Sequence, residues 1–267
     1  ALWAPTAINV EIKLYEGPRG DALETLSMKR GSEQCDDGVW RIVGPEAWWG
    51  MYYTYTVEAY HPEVGYIAKM LTADPYSCAC AADAERSFVQ HLPTLLEAIP
   101  GGDRAAWLSC PVPCFSDRCA AAIYELHVRD FSASDASVPE DLRGKYVAFE
   151  LEGTNGDKHL RRLAAAGITH VQLLPTYDFG SVPERPEERI EPTIPMEACA
   201  DSEEQQAAVT KAADVDAFNW GYDPVLYNVP EGSYATSPDG FLRVLEHRRM
   251  VAALHAKGLR VVLDVVY

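Results

Sequence analysis

Positive charge is scarce in this sequence: 23 Lys and Arg stand against 40 Asp and Glu, a formal net charge of −17. Nucleic-acid binding draws on a positive field that displaces counterions from phosphates, so this balance argues against it, and equally against an anionic membrane surface. A neutral, hydroxyl-rich ligand is indifferent to that charge. Long apolar runs are lacking as well. The longest stretch without Asp, Glu, Lys or Arg, Leu163–Tyr177, carries Gly167, His170, Gln172 and Pro175, a poor fit to a bilayer span. The opening residues, ALWAPTAINV, hold neither a basic region nor an apolar signal core, and read as a cut into the middle of a longer protein. The seven cysteines (Cys35, Cys78, Cys80, Cys110, Cys114, Cys119 and Cys199) are odd in number, which argues against a secreted disulfide framework. Cys110, Cys114 and Cys119 cluster without a CxxC pair or a His at ligand distance, so free thiols in a reducing compartment are expected rather than a zinc site. A GxSxG elbow, a Walker loop and an HExxH helix are absent too, and Gly153-Thr154-Asn155-Gly156 lacks the glycine spacing and lysine of a phosphate cradle.

What is present suffices for a sizeable core. The 267 residues, 48% hydrophobic and 24% charged, leave room for two ordinary domains or one large barrel-type domain. Ile8, Val10, Ile12 and Leu14 alternate with Asn9, Glu11 and Lys13, the period of a half-buried strand, and Glu16-Gly17-Pro18 breaks it. Val39–Val43, Met51–Tyr60 and Gly65–Met70 continue the series, and short strands between turn signals predict a β-sandwich. The small residues of Cys78–Ala84 then read as a linker. From Ile123 the grammar alternates. A strand over Ile123–Phe131 precedes a helix over Asp157–Ala166, with Leu160, Leu163 and Ala164 on one face and Gly167 at its end. Thr169–Leu174 is a second strand, followed by the polar, proline-rich stretch Asp178–Asp216. Pro238–Lys257 is a second helix with Phe241, Val244, Leu245 and Val251 as its apolar face. Leu259–Tyr267 is a third strand, apolar enough to be covered on both faces. This order opens an α/β sheet or barrel, and three strands cannot close a barrel.

Four motifs carry a family resemblance. Trp3-Ala4-Pro5-Thr6-Ala7 and the strand after it resemble the start of a carbohydrate-binding module found in starch-debranching enzymes. Tyr124–Phe131 resembles the first barrel strand of pullulanases, and Asn219-Trp220-Gly221-Tyr222-Asp223-Pro224 with Pro230-Glu231-Gly232-Ser233-Tyr234 resembles the loop after their second strand. Leu263-Asp264-Val265-Val266-Tyr267 resembles the first signature region of the α-amylase superfamily, without its Asn-His continuation. The chain is thus similar to plant limit dextrinases and pullulanase-type debranching enzymes. The resemblance implies a β-sandwich accessory domain over residues 1–95, a linker over 96–122, and over 123–267 the first β/α units of a (β/α)8 TIM barrel, incomplete in this chain. It implies hydrolysis of α-1,6-glucosidic linkages in limit dextrins, pullulan or starch by a retaining double displacement. An isoamylase or branching enzyme is the close alternative, and a noncatalytic glucan-binding scaffold the one from another class. The catalytic carboxylates are expected beyond residue 267, so none is assigned here and the segment alone is expected to be inactive. By the same resemblance no cofactor is required, a small protein inhibitor is a conceivable partner, and a plastid location is expected, with secretion as the alternative.

Tyr222, Asp223 and Asp264 are the candidate substrate-binding residues. Tyr222 offers a sugar an aromatic face and a hydroxyl, and the two carboxylates accept hydrogen bonds and add negative potential near a developing oxocarbenium ion. Each has a plainer role: a loop-anchoring aromatic for Tyr222, a turn cap before Pro224 for Asp223, pairing with a buried base for Asp264. His127 and Arg129 read as structural polar groups. Among Trp48, Trp49, Tyr52, Tyr53 and Tyr55, alternate members are expected in the sandwich core, with surface sugar binding the other option. The acidic run Glu184–Glu191 reads as a solvated loop; a structural calcium ion is conceivable there, although no ligand pattern is recognisable.

Overall fold

The computed structural model describes residues 1–31, 35–91 and 111–267. Cys110 and residues 96–110 of the expected linker lie outside them. The first part is two antiparallel sheets. Strands β1 (Leu2–Trp3), β2 (Ala7–Tyr15), β3 (Glu24–Ser27), β4 (Lys29–Arg30), β5 (Val39–Arg41), β6 (Tyr52–His61), β7 (Tyr66–Thr72) and β8 (Ser87–Phe88) follow in chain order. β1-β5-β4 form one sheet; β3-β2-β6-β7 form the other, with β8 also on β6. Leu2, Val10, Ile12, Leu14, Met28, Trp40 and Tyr55 meet between them as the core of the expected sandwich. Ile8 departs from its expected inward place and is exposed. A bulge between Ala7 and Asn9 shifts the register against β6, and Ala7 takes the buried position instead.

β6 is buried on both faces, which resolves the aromatic group. Tyr55 fills the sandwich core and Tyr53 packs beside it, donating to Asp74 Oδ2 at 2.8 Å. Tyr52 faces the other way, against Tyr15, Ala81 and Phe88. Trp48 packs on the core edge, while Trp49 is exposed and stacked on His91 with ring centroids 4.4 Å apart.

The Cys78–Ala84 segment is no linker. Ala79, Cys80, Ala81 and Ala82 are wholly buried, Cys80 bridges both Ser87 and Gly240, and Ala79 packs with Phe241, Val244 and Leu245. Small residues here signal close packing, not flexibility: they let the backbone lie between the sandwich and the second half of the chain.

That second half contains β9 (Ile123–Leu126), α1 (Val128–Ala133), α2 (Asn155–Ala165), β10 (His170–Leu173), β11 (Tyr177–Phe179), α3 (Glu204–Ala212), β12 (Pro224–Pro230), α4 (Leu242–Ala256) and β13 (Arg260–Leu263). The first expected strand stops five residues early. His127 accepts a hydrogen bond from Asp130 N through Nδ1 and so caps α1, turning the chain into a helix before Phe131. α2 is capped by Thr154, which accepts from Asp157 N, and ends at Gly167 with φ +100°. β9, β10 and β13 form a parallel sheet with β10 in the centre. Val171 and Leu173 of β10 pack against Leu160 of α2 and Met250 and Leu254 of α4. α4 starts at Leu242, later than expected, and buries Met250 and Leu254 rather than Val251. β13 is an edge strand, so Leu263, Val265 and Val266 are exposed rather than covered on both faces. No helix among the described residues is long and apolar enough to cross a membrane.

Candidate functional site

Leu126, Leu173 and Leu263 are register partners across the parallel sheet, so the three strands end on one rim. Asp264 follows directly, its amide donating to Leu173 O at 3.1 Å. Strand alternation puts its side chain on the same face as Gln172, away from the helices. Gln172 Nε2 donates to Asp264 Oδ2 at 3.4 Å and to Glu125 Oε2 at 3.1 Å. The expected alternative for Asp264, pairing with a buried base, is not what the described residues do.

The loop carrying Tyr222 is built by local chemistry. Asp216 Oδ1 accepts from Phe218 N and Asn219 Oδ1 from Gly221 N, each at 2.8 Å, two successive side-chain turns. Because His127 Nδ1 is used by the α1 cap, its proton sits on Nε2, which donates to Asn219 O at 2.8 Å. Burial lowers the His127 pKa and keeps the ring neutral in that role. Gly221 has φ +84°, and a Cβ there would meet the Phe179 ring at 2.7 Å, so only glycine fits. Tyr222 then emerges, 43% exposed, and its hydroxyl donates to Asp264 Oδ2 at 2.8 Å. That hydrogen bond, more than burial, pushes the phenol up to about 12. Asp223 turns elsewhere: Oδ2 accepts from Ser181 Oγ, and among the described residues buried Oδ1 has no hydrogen-bond partner. The fold therefore joins Tyr222 to Asp264 and leaves Asp223 beside them in sequence, facing Ser181.

A second constellation went unseen in the sequence. Asp178 of β11, Glu184 and Glu231 are buried, with carboxylate oxygens within 4.8 Å of one another. Glu184 was expected in a solvated loop; of the Glu184–Glu191 run, Glu187, Glu188 and Glu191 are exposed, but Glu184 is not. Such a trio is a cation's donor set, and the cation is Arg243, fully buried on α4. Its Nη1 lies 2.9 Å from Asp178 Oδ1 and its Nη2 2.5 Å from Glu184 Oε2. Backbone amides complete the set. Gly232 N donates to Glu184 Oε1 at 2.6 Å, Asp83 N to Glu184 Oε2 at 2.7 Å, and Ser233 N to Glu231 Oε1 at 2.8 Å. Burial and the neighbouring Glu184 push Asp178 up to about 8, and burial pushes Glu231 well above the usual carboxylate range. Both shifts favour the protonated acid, the form that keeps like charges from crowding one guanidinium. The sequence carries no local signal for it: at helical spacing Arg243 lies off the expected apolar face of Phe241, Val244, Leu245 and Val251, on the side of Met250 and Leu254.

The cluster also fastens the sandwich to the second half. Asp83 and Glu184 exchange backbone-to-carboxylate bonds at 2.7 and 2.9 Å, and buried Arg185 pairs with Asp83, Glu85 and Asp239. A pH prediction follows from Asp178. Its folded pKa is raised, so its contribution to stability is fully present below about pH 4 and is lost as pH rises through about 8. Asp178→Asn removes that dependence. The difference in unfolding free energy between wild type and Asp178→Asn, from urea titrations, is expected to fall between pH 4 and 8 and then level. A difference independent of pH would contradict the proton on Asp178. His247, pushed down to about 4 by burial, has the opposite slope but is common to both proteins.

The site lies in a parallel α/β segment that follows a two-sheet β-sandwich. Residues 1–77 match the family model of Carbohydrate-binding module 48 (Isoamylase N-terminal domain). Beyond the module, the similarity is to pullulanases along the whole chain. Pullulanase 1, chloroplastic, of Arabidopsis thaliana is 40% identical over 269 residues, covering 100% of this chain and 27% of that protein. The pullulanase of Klebsiella aerogenes is 32% identical over 303 residues, again 100% of this chain and 27% of its own length. The maltotriose-complex structure of PulA from Klebsiella pneumoniae superposes with a TM-score of 0.88 at 32% identity, covering 99% of this chain and 32% of that one. The resemblance to plant-type debranching enzymes is borne out. The chain spans about a quarter of the length of these curated relatives.

Proposed function

We propose that the intact protein hydrolyses α-1,6-glucosidic branch linkages in pullulan, limit dextrins or starch, with retention of configuration. The observation that carries this reading is the Tyr222–Asp264 hydrogen bond on the C-terminal rim of three parallel strands, in a chain aligned end to end with pullulanases. β9, β10 and β13 are taken as the first strands of a (β/α)8 barrel, whose functional groups gather on that rim. Residues 1–95 then form the accessory domain, 96–122 the linker and 123–267 the opening of the catalytic domain.

Within this picture Tyr222 stacks on a sugar ring beside the scissile bond and Asp264 fixes the orientation of its phenol. Asp223 offers the unused Oδ1 acceptor to a sugar hydroxyl once the loop shifts. Retaining hydrolysis uses a nucleophile and an acid–base carboxyl about 5–5.5 Å apart. Neither is assigned to these 267 residues; both are placed on later strands of the intact protein. A plastid location follows the chloroplastic relative.

The intact protein on pullulan is expected to release reducing ends at the α-1,6 linkages, with the α-anomer appearing first by proton NMR. Glucan binding without any release would leave the noncatalytic scaffold. Transfer of chains without net reducing ends would indicate a branching activity instead.

A further inference from the structure

In this acidic chain, four basic residues meet in one cleft. Arg129 of α1, Arg143 and Lys145 from the turns before α2, and Arg189 line a cavity of about 220 Å³, with Glu191 the one acid on its wall. Their hydrogen bonds orient them without neutralising them. Lys145 Nζ donates to Ser233 O at 2.8 Å and Arg143 Nε to Val138 O at 3.0 Å. Arg189 Nε and Nη2 donate to the carbonyls of Pro183 and Glu184 at 2.6 and 2.7 Å. Among the described residues only Arg129 of the four has an ion pair, with Asp130 Oδ1 at 3.0 Å. Burial, reinforced by the charge of Arg189, pushes Lys145 down to about 8. Gathering like charges costs stability unless an opposite charge joins them.

The lining favours an oxyanion. Four cations and one acid, Glu191, face the cavity; Arg129 is set against Asp130, and from outside the lining Glu184, Glu231 and Glu246 offset Lys145 in part, as Glu184 and Glu231 offset Arg189. A phosphate monoester carries close to two negative charges and three acceptor oxygens, whereas a carboxylate brings one charge and two oxygens. Guanidinium forks match phosphate oxygens in pairs. The cavity is below the ~300–1,000 Å³ of pockets for drug-sized ligands, which suits a single small headgroup.

We propose that this cleft is an oxyanion site for a phosphate monoester, either free inorganic phosphate or a phosphate borne on a sugar. It is separate from the Tyr222–Asp264 pair and does not depend on the glycosidase reading. The test is calorimetric titration of the full-length protein with inorganic phosphate and with glucose 6-phosphate, at ionic strength held constant by chloride. Saturable binding with Kd on the order of 1 mM is expected, weakened about tenfold or more in Arg143→Gln and less in Arg143→Lys. An unchanged thermal midpoint of Arg143→Gln without phosphate shows that the fold is intact; should that variant not fold, Arg129→Gln is read the same way. Tighter binding of glucose 6-phosphate assigns the sugar-borne ligand, and equal binding assigns free phosphate. The absence of saturable heat for both probes, or wild-type affinity in the variant, overturns the site.

Discussion

Arg243→Leu is expected to destabilise the protein by about 3–5 kcal/mol, the cost of leaving buried carboxylates without their counterion. The side chain is fully buried and touches four partners: Asp178, Glu184, and the carbonyls of Pro230 and Pro238. Leucine replaces the volume of the stem but none of these bonds. Glu184 then either takes up a proton or drags water into the junction. Arg243→Lys keeps the charge without the fork that spans both carboxylates, so an intermediate loss is expected. Urea unfolding of the intact protein measures both. Because Glu184 also accepts from Asp83 N, loss of Arg243 should loosen the strap at Cys80–Asp83 and expose it to proteolysis. A change below about 1 kcal/mol would mean that the guanidinium is not what holds this junction.

Tyr222→Ala is expected to weaken binding of a maltooligosaccharide by roughly ten- to a hundredfold, about 1.4–3 kcal/mol. The substitution removes both the exposed ring and the hydroxyl that holds Asp264. Tyr222→Phe separates the two. It keeps the stacking face and frees Asp264 Oδ2, leaving the carboxylate, among the described residues, with Gln172 at 3.4 Å. If stacking dominates, phenylalanine retains most of the affinity. If positioning of Asp264 dominates, phenylalanine behaves like alanine. Wild-type affinity in Tyr222→Ala would remove the sugar-stacking role altogether, whatever the activity on pullulan.

The parallel strands were legible because β10 is a short apolar run between a glycine and a proline, Gly167 and Pro175. The end of β9 was not. Tyr124–Phe131 looks uniformly strand-like, and what ends the strand at Leu126 is the hydrogen bond from Asp130 N to His127. The sandwich strands were readable from alternation, but the bulge that exposes Ile8 has no local signature. Cys78–Ala84 departs from its expected linker role for a related reason. Small residues are equally consistent with a mobile tether and a tightly packed strap, and only the neighbours supplied by β6 and α4 decide between them.

By itself, the sequence determined the alternation of elements, the charge that disfavours nucleic acid, and the local turns around Asn219 and Gly221 that project Tyr222. Those depend on side-chain period, charge and backbone preference over a few residues. Tertiary structure alone decided that Tyr222 meets Asp264, that Asp223 turns to Ser181, and that Glu184 and Glu231 are buried around Arg243. Most of these partners are separated by tens of residues. Their contacts exist because parallel strands in register bring distant chain segments to one edge, and because a buried charge is stable only where the fold supplies its counterion.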